Sequence, residues 1–170
     1  GAIWVNFGLS ELTLTVFCEF STMAAIRRLA HEDRAFRKAL CDCDSWFAPH
    51  VMQYFPDRTY IEVVPKGEDV GELVVSILNP DAKIPLMRYN THDLVRLMSY
   101  RQLCELLRET GQESLAPTFK LPVGILWGRH KGLVSAEGVE VFPNQIKEAI
   151  YDDFYLAGRL TGNFRLEPQG

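Results

Sequence analysis

The stretch that decides the fold is MQYFPDRTYIEVVPKGEDVGELVVSILNPDAKIPLMRYNTHDLVRL, residues 52–97. Short runs of β-branched and aromatic residues alternate here with turn signals, of which Pro65-Lys66-Gly67 and Asn79-Pro80-Asp81 are the clearest. Strands this short and this evenly spaced are typical of an antiparallel sheet or a small barrel. We therefore predict a small, mostly antiparallel β subdomain, distorted and barrel-like, with its sheet over residues 54–97.

The segments on either side add helices and further strands. Upstream, residues 12–20 alternate like a strand, and apolar residues at helical spacing predict one helix over residues 21–40. Downstream, residues 100–110 predict a helix, and residues 123–127 predict another strand. Because strands and helices are both present without a regular βαβ alternation, the predicted fold class is α+β.

Glycines mark a change of organisation near residue 128. Gly128-Arg129 follows the last of these strands, and Gly138 opens a second bend. We predict a hinge there, with residues 1–127 in one domain and residues 128–170 at the start of a separate α/β lobe. The chain also opens inside an apolar, strand-like run, so we expect it to be part of a longer protein.

Composition excludes several classes of function. The 170 residues are 47% hydrophobic and 24% charged, which is typical of a folded globular protein. A net charge of -4 provides no basic field for nucleic acid, and no apolar run reaches the roughly 18 residues of a membrane span. Four irregularly spaced cysteines do not form a disulfide framework. The prediction is a cytoplasmic protein with reduced thiols and neither nucleic acid nor membrane as a partner.

Three polar clusters lie at turns between apolar runs. In Asn6-Phe7-Gly8-Leu9-Ser10-Glu11, the ring, the hydroxyl and the carboxylate could face a base, bind a phosphate and ligate Mg²⁺. In Arg88-Tyr89-Asn90-Thr91-His92-Asp93, the carboxylate of Asp93 could accept hydrogen bonds from both hydroxyls of a ribose. We expect Asp93 to be a turn carboxylate with solvent access. Gly128-Arg129-His130-Lys131-Gly132 is a basic cluster between two bends. Taken singly, each is equally compatible with an ordinary solvated turn.

Taken together and in this order, the clusters resemble the motifs of the adenylate-forming ligases. That family carries Y-G-x-[ST]-E, then R-Y-x-T-x-D, then G-R-x-[DK], then P-x-x-[IV]-E. The phrase Val139-Glu140-Val141-Phe142-Pro143-Asn144-Gln145-Ile146 is similar to wording of the phenylacetate–CoA ligase branch. The chain departs from the pattern at Phe7, His92 and Lys147, and its segment 21–49 is longer.

The resemblance implies part of an ATP-dependent acid–CoA ligase, which activates a carboxylic acid of the aryl class as acyl-AMP and then forms the CoA thioester. Residues 1–127 would be the C-terminal part of the AMP-binding domain. The implied cofactors and partners are ATP or AMP, Mg²⁺, coenzyme A and a small carboxylic acid, and a homodimer is left open. The implied site residues are Ser10 and Glu11 for catalysis, Glu11 for Mg²⁺ through ATP, Phe7, Gly8, Ser10, Asp93 and Arg129 for the nucleotide, and Lys131 at the hinge.

Two parts of the family's machinery have no counterpart in this sequence: the Gly/Ser/Thr-rich phosphate loop, which the family carries upstream, and the catalytic Lys near its C-terminus. We therefore expect the isolated chain to be inactive, since positioning and charge neutralisation supply most of the rate of adenylation. Two alternatives stay open. The full protein could pass its acyl-AMP to an acceptor other than CoA, or it could be a degenerate, non-catalytic module of the same fold.

Overall fold

The computed structural model describes residues 6–9, 14–43, 45, 47–66, 70–79, 81–82, 85–129, 134–136, 139–141, 146, 149–150 and 153–160. The chain divides into two compact units, Gly1–Trp127 and Gly128–Gly170. The strands are β1 Asn6–Leu9, β2 Leu14–Cys18, β3 His50–Tyr54, β4 Thr59–Pro65, β5 Gly71–Ile77, β6 Tyr89–Met98, β7 Val123–Arg129, β8 Val134–Ala136 and β9 Val139–Val141. The helices are α1 Ser21–Glu32, α2 Arg34–Cys41, α3 Tyr100–Glu109 and α4 Phe154–Ala157, with a 3₁₀ turn at Glu113–Leu115.

Seven strands form one open sheet in the order β1-β2-β3-β7-β6-β5-β4. The pairs β1–β2, β2–β3, β3–β7, β4–β5 and β5–β6 are all antiparallel. The α+β class and the mostly antiparallel sheet are therefore confirmed. The barrel-like closure is wrong, because β1 and β4 remain edges, and the sheet extends well beyond residues 54–97 in both directions.

The β4–β5 hairpin shows how the sequence sets the register of the sheet. Its pairing runs without a break from Thr59 opposite Ile77 to Pro65 opposite Gly71. A Cβ atom at Gly71 would collide with the carbonyl oxygen of Val64, so glycine is required where the two strands close. Proline is tolerated at residue 65 because β4 is an edge strand, with no neighbour on its outer side among the described residues.

Two apolar clusters cover the two faces of the sheet. Val51 and Ile125 face the helices, whereas their neighbours Met52 and Leu126 face the other side, as strand alternation requires. The helix-side cluster consists of Met23, Ile26, Ala30, Phe36, Leu40, Cys41, Ala48, Val51, Met98, Leu103, Leu107, Val123, Ile125 and Trp127. The strand-side cluster consists of Val16, Phe17, Met52, Ile61, Leu73, Val75, Val95 and Leu126.

The predicted single helix over residues 21–40 is wrong, because Asp33 interrupts it. Asp33 adopts an extended backbone, and its Oδ1 accepts hydrogen bonds from the backbone N–H groups of Ala35 (2.8 Å) and Phe36 (3.0 Å). It therefore caps a new helix, α2. The buried guanidinium of Arg37 donates to the carbonyl oxygen of Ala30, which closes the end of α1 (2.6 Å).

The predicted helix over residues 100–110 is confirmed. Ser99 and Gln102 form a reciprocal capping box at its start, and Gly111, with φ of 71°, follows its end. Of the helices in the described part of the chain, none combines the length and apolar character needed to cross a membrane.

The second unit, taken by itself, contains a small hairpin and a short helix. In the hairpin, Val134 pairs with Val141 and Ala136 with Val139 in antiparallel register. Beyond α4, the guanidinium carbon of Arg159 lies 3.7 Å from the centroid of the Tyr155 ring. That these residues begin the small lobe of a ligase stays a prediction.

Candidate functional site

The second polar motif lies in a β-bulge in the middle of the sheet. A single strand, β6, runs through residues 89–98 and contains most of this motif. Between the pairs Val74–Asn90 and Glu72–Leu94, β5 advances two residues while β6 advances four. The two extra residues of β6 bulge out of the ladder, and bulges are frequent next to active sites because they re-aim a side chain.

Side chains of the motif replace the ladder hydrogen bonds that the bulge removes. Oδ1 of Asn90 accepts from the backbone N–H of His92 at 2.8 Å, and Oγ1 of Thr91 accepts from that of Asp93 at 3.1 Å. The Thr91 hydroxyl donates in turn to the carbonyl oxygen of Leu73, at 3.3 Å. His92 has φ of 61°, in the left-handed region that glycine adopts most easily. Side chains of the motif therefore stabilise the backbone conformation of the bulge in which they lie.

Asp93 is buried inside the strand, so the expected turn carboxylate with solvent access is wrong. The residue is only 5% exposed. Thr91 and Val95, two positions to either side of Asp93, are buried as well, and Val95 belongs to the strand-side cluster. Burying a carboxylate among apolar side chains is costly unless specific interactions stabilise its charge. A buried carboxylate that is held by such interactions is a frequent feature of binding sites.

Glu72 of β5 is the centre of a polar cluster beside the bulge. Its Oε2 accepts from Nδ2 of Asn90 at 2.6 Å, and its Oε1 lies 3.4 Å from Nζ of Lys66. The hydrogen bond from Asn90 is the main cause that lowers the pKa of Glu72 below its ordinary value, and the Lys66 charge acts in the same direction against desolvation. Nδ1 of His92 lies 3.6 Å from Oε2 of Glu72, and within the described residues it has no hydrogen-bond partner.

Arg88, the first residue of the motif, points to the edge of the sheet. Its Nε lies 3.2 Å from Oε2 of Glu62 on β4, and its side chain is 70% exposed. Its backbone N–H donates to the hydroxyl of Ser76 at 2.9 Å. The structure thus shows Arg88 in a contact within the β subdomain, and an exposed ion pair of this kind contributes little stability.

The first polar motif is described only in part. Phe7 lies opposite Phe17 in the β1–β2 pair, and the two rings meet edge to face with centroids 5.9 Å apart. Phe7 also packs against the strand-side cluster. The pairing shifts between Phe7 and Gly8. Ser10 and Glu11, the predicted catalytic and Mg²⁺-binding residues, lie outside the described residues.

The third motif begins at the border between the two units. Gly128 has φ of 101°, a conformation that favours glycine, and the exposed Arg129 ends β7. Lys131, the predicted hinge residue, lies outside the described residues. Asp93 belongs to the first unit and Arg129 to the second, so a shared nucleotide site stays a prediction.

Sequence reasoning missed the roles of Asn90 and Glu72. Asn90 occupies a position that the motif leaves open, and Glu72 lies on a different strand. An asparagine inside a strand pattern can indicate a local turn, because its side chain can bind the backbone N–H two residues onward. Only the pairing of β5 with β6, however, brings Glu72 next to Asn90.

No family model matches the chain. The sequence is similar to part of phenylacetate-coenzyme A ligase from Pseudomonas putida, with 34% identity over 89 residues. That match covers 52% of this chain and 16% of the ligase. The chain therefore spans a small part of the relative's length, and the similarity supports a partial relationship to an acid–CoA ligase.

Proposed function

We propose that this chain is the nucleotide-holding part of an ATP-dependent acid–CoA ligase, which activates a carboxylic acid, of the aryl class, as its acyl-AMP. The observation that carries the proposal is the buried Asp93, which the motif's own side chains hold in a bulge. The partial similarity to phenylacetate-coenzyme A ligase supports it. Residues 1–127 then form part of the AMP-binding domain, and residues 128–170 begin the smaller domain.

A carboxylate on a rigid strand suits the recognition of a ribose. Its two oxygens can accept one hydrogen bond from each of the two vicinal hydroxyls, and bonds to a charged acceptor are stronger than bonds to a neutral one. Burial strengthens them further, because water does not compete for the same oxygens. The bulge fixes the backbone of Asp93, so little conformational entropy is lost when the nucleotide binds.

The remaining roles are assigned by the motifs. Phe7 and Gly8 face the nucleotide from β1, Ser10 contacts phosphate, and Glu11 ligates Mg²⁺ through ATP. Arg129 supports the ribose. Lys131 lies at the hinge about which the smaller domain rotates between adenylation and thioester formation. The carboxylate of the acid attacks the α-phosphorus and displaces pyrophosphate, and the thiol of coenzyme A then attacks the acyl carbon and displaces AMP.

The test is an assay of the full-length protein that carries this chain. With ATP, Mg²⁺ and a panel of aryl acids, we expect pyrophosphate release that depends on one or a few of the acids. Addition of coenzyme A should convert the product to a thioester that mass spectrometry detects. Acid-dependent pyrophosphate release without a thioester would favour an acceptor other than CoA. The absence of release with every acid would favour the non-catalytic module.

A further inference from the structure

We infer that Asn90 is a positioning residue for Asp93: it holds His92 in its left-handed conformation and thereby aims the carboxylate at the nucleotide. The inference rests on the proposed function and extends it to a residue that contacts no substrate. Asn90 is joined to both sides of the bulge, since its Oδ1 binds the N–H of His92 and its Nδ2 binds the carboxylate of Glu72.

The left-handed backbone of His92 requires outside support. With φ of 61°, this residue has a conformation in which its Cβ crowds the following carbonyl oxygen. The carbonyl oxygen of the Asn90 side chain accepts from the N–H of this same residue at 2.8 Å. An asparagine side chain bonded to the backbone two residues onward is a known means of stabilising such a turn. Removing it shifts His92 towards an extended backbone.

The orientation of the Asn90 amide is fixed from the neighbouring strand. Nδ2 donates a short, charge-assisted bond of 2.6 Å to Oε2 of Glu72, so Oδ1 must face the N–H of His92. Nζ of Lys66 lies 3.4 Å from Oε1, the other carboxylate oxygen of Glu72. The network therefore ties the bulge of β6 to β5 and to the end of β4.

The direction of Asp93 depends on the residue before it. In a strand, successive side chains point to opposite faces, so a change at His92 alters the face that Asp93 presents. At present Asp93 is buried two positions before Val95, a member of the strand-side cluster. Relaxation of the bulge would move the carboxylate away from the ribose without removing it. The expected effect is weaker ATP binding with little change in the chemistry itself.

The experiment measures the KM for ATP, the KM for the acid and kcat in the full-length enzyme. Asn90→Ala should raise the KM for ATP about three- to tenfold, the equivalent of one lost hydrogen bond, and change kcat and the KM for the acid less than about twofold. Asn79→Ala is the matched control, because Oδ1 of Asn79 makes the same kind of bond to the N–H of Asp81 in an exposed loop at 3.0 Å. It should leave all three constants unchanged.

The decisive comparison uses a His92→Gly background. Glycine adopts the left-handed conformation without steric cost, so Asn90→Ala in that background should change the KM for ATP by less than about twofold. An unchanged effect of Asn90→Ala in that background would show that Asn90 does not act through His92, and the inference would be overturned. A purely structural role would not produce this rescue.

Two further outcomes separate the inference from the proposed function. If Asp93→Ala raises the KM for ATP and Asn90→Ala does not, the positioning role is wrong and the proposed function stands. If neither variant changes the ATP dependence of a folded enzyme, the ribose assignment fails and the positioning role fails with it. Should Asn90→Ala not fold, Asn90→Ser keeps a weaker acceptor at the same place, and its effect in the two backgrounds decides the question.

Discussion

Asp93 can be tested by two substitutions in the full-length protein. Asp93→Ala removes both carboxylate oxygens, whereas Asp93→Asn keeps the shape of the side chain and removes its charge. Under the proposed function, the residue makes two charge-assisted bonds to the ribose, each contributing about 1.5–3 kcal/mol. Since about 1.4 kcal/mol corresponds to a factor of ten, the loss of one such bond corresponds to about ten- to a hundredfold; Asp93→Ala, which removes both, should therefore lower kcat/KM for ATP about a hundredfold or more, and Asp93→Asn about tenfold.

Burial of Asp93 also predicts a cost in stability, which a solvated turn carboxylate would not have. The residue is 5% exposed, so truncation to Ala should cost about 1–3 kcal/mol, whereas Asn conserves the volume and should cost less. The assay therefore pairs initial rates of pyrophosphate release, over a range of ATP concentrations, with thermal unfolding of each variant.

Asp33→Ala is the matched control for a loss of stability without a loss of binding. Asp33 caps α2 through two backbone N–H groups, so its removal should cost about 1 kcal/mol of stability and leave kcat/KM for ATP unchanged. If Asp93→Ala lowered stability to the same degree as Asp33→Ala and left the ATP dependence unchanged, the burial of Asp93 would be structural and the ribose assignment would be refuted.

Three other predictions concern packing and ionisation. Gly124→Ala should lower the unfolding temperature, because the added methyl group would collide with the ring of Phe17 and overpacking costs about 1–3 kcal/mol; an unchanged temperature would contradict this packing. Burial raises the pKa of Cys41 to about 12, so at about pH 8 iodoacetamide should modify the exposed Cys43 and spare Cys41, as peptide mass spectrometry can show; alkylation of Cys41 in the folded protein would oppose it. The pKa of Glu72 is lowered from its ordinary 4.5, so the stability that its charge adds is present above that pH and is lost as the pH falls through the lowered value. The difference in urea midpoint between the wild type and Glu72→Gln should shrink there, and a difference that does not depend on pH would contradict it.

The parts of the fold that depend on neighbouring residues could be predicted from the sequence. Turn residues and alternating apolar positions gave the β4–β5 region, and the apolar spacing and terminal glycine gave α3. The break between α1 and α2 was missed because Asp33 is compatible with a helix interior when judged by apolar spacing alone. Its capping bonds to Ala35 and Phe36 decide the outcome.

The parts that depend on pairing between distant strands could not be predicted. Nothing local to residues 89–98 indicates that β5 lies beside β6 with two residues of mismatch, so the bulge and the burial of Asp93 were missed. The contact of Asn90 with Glu72 has the same origin, since 18 residues separate them. Ser10, Glu11 and Lys131 lie outside the described residues, and their roles stay predictions.

The most direct test of the proposed function is a crystal structure of the full-length protein with AMP or a stable acyl-AMP analogue. Both ribose hydroxyls should lie within about 2.5–3.0 Å of the carboxylate oxygens of Asp93, with the bulge of β6 retained. A nucleotide bound elsewhere, or a ribose that contacts other residues while Asp93 stays buried, would contradict the proposed function.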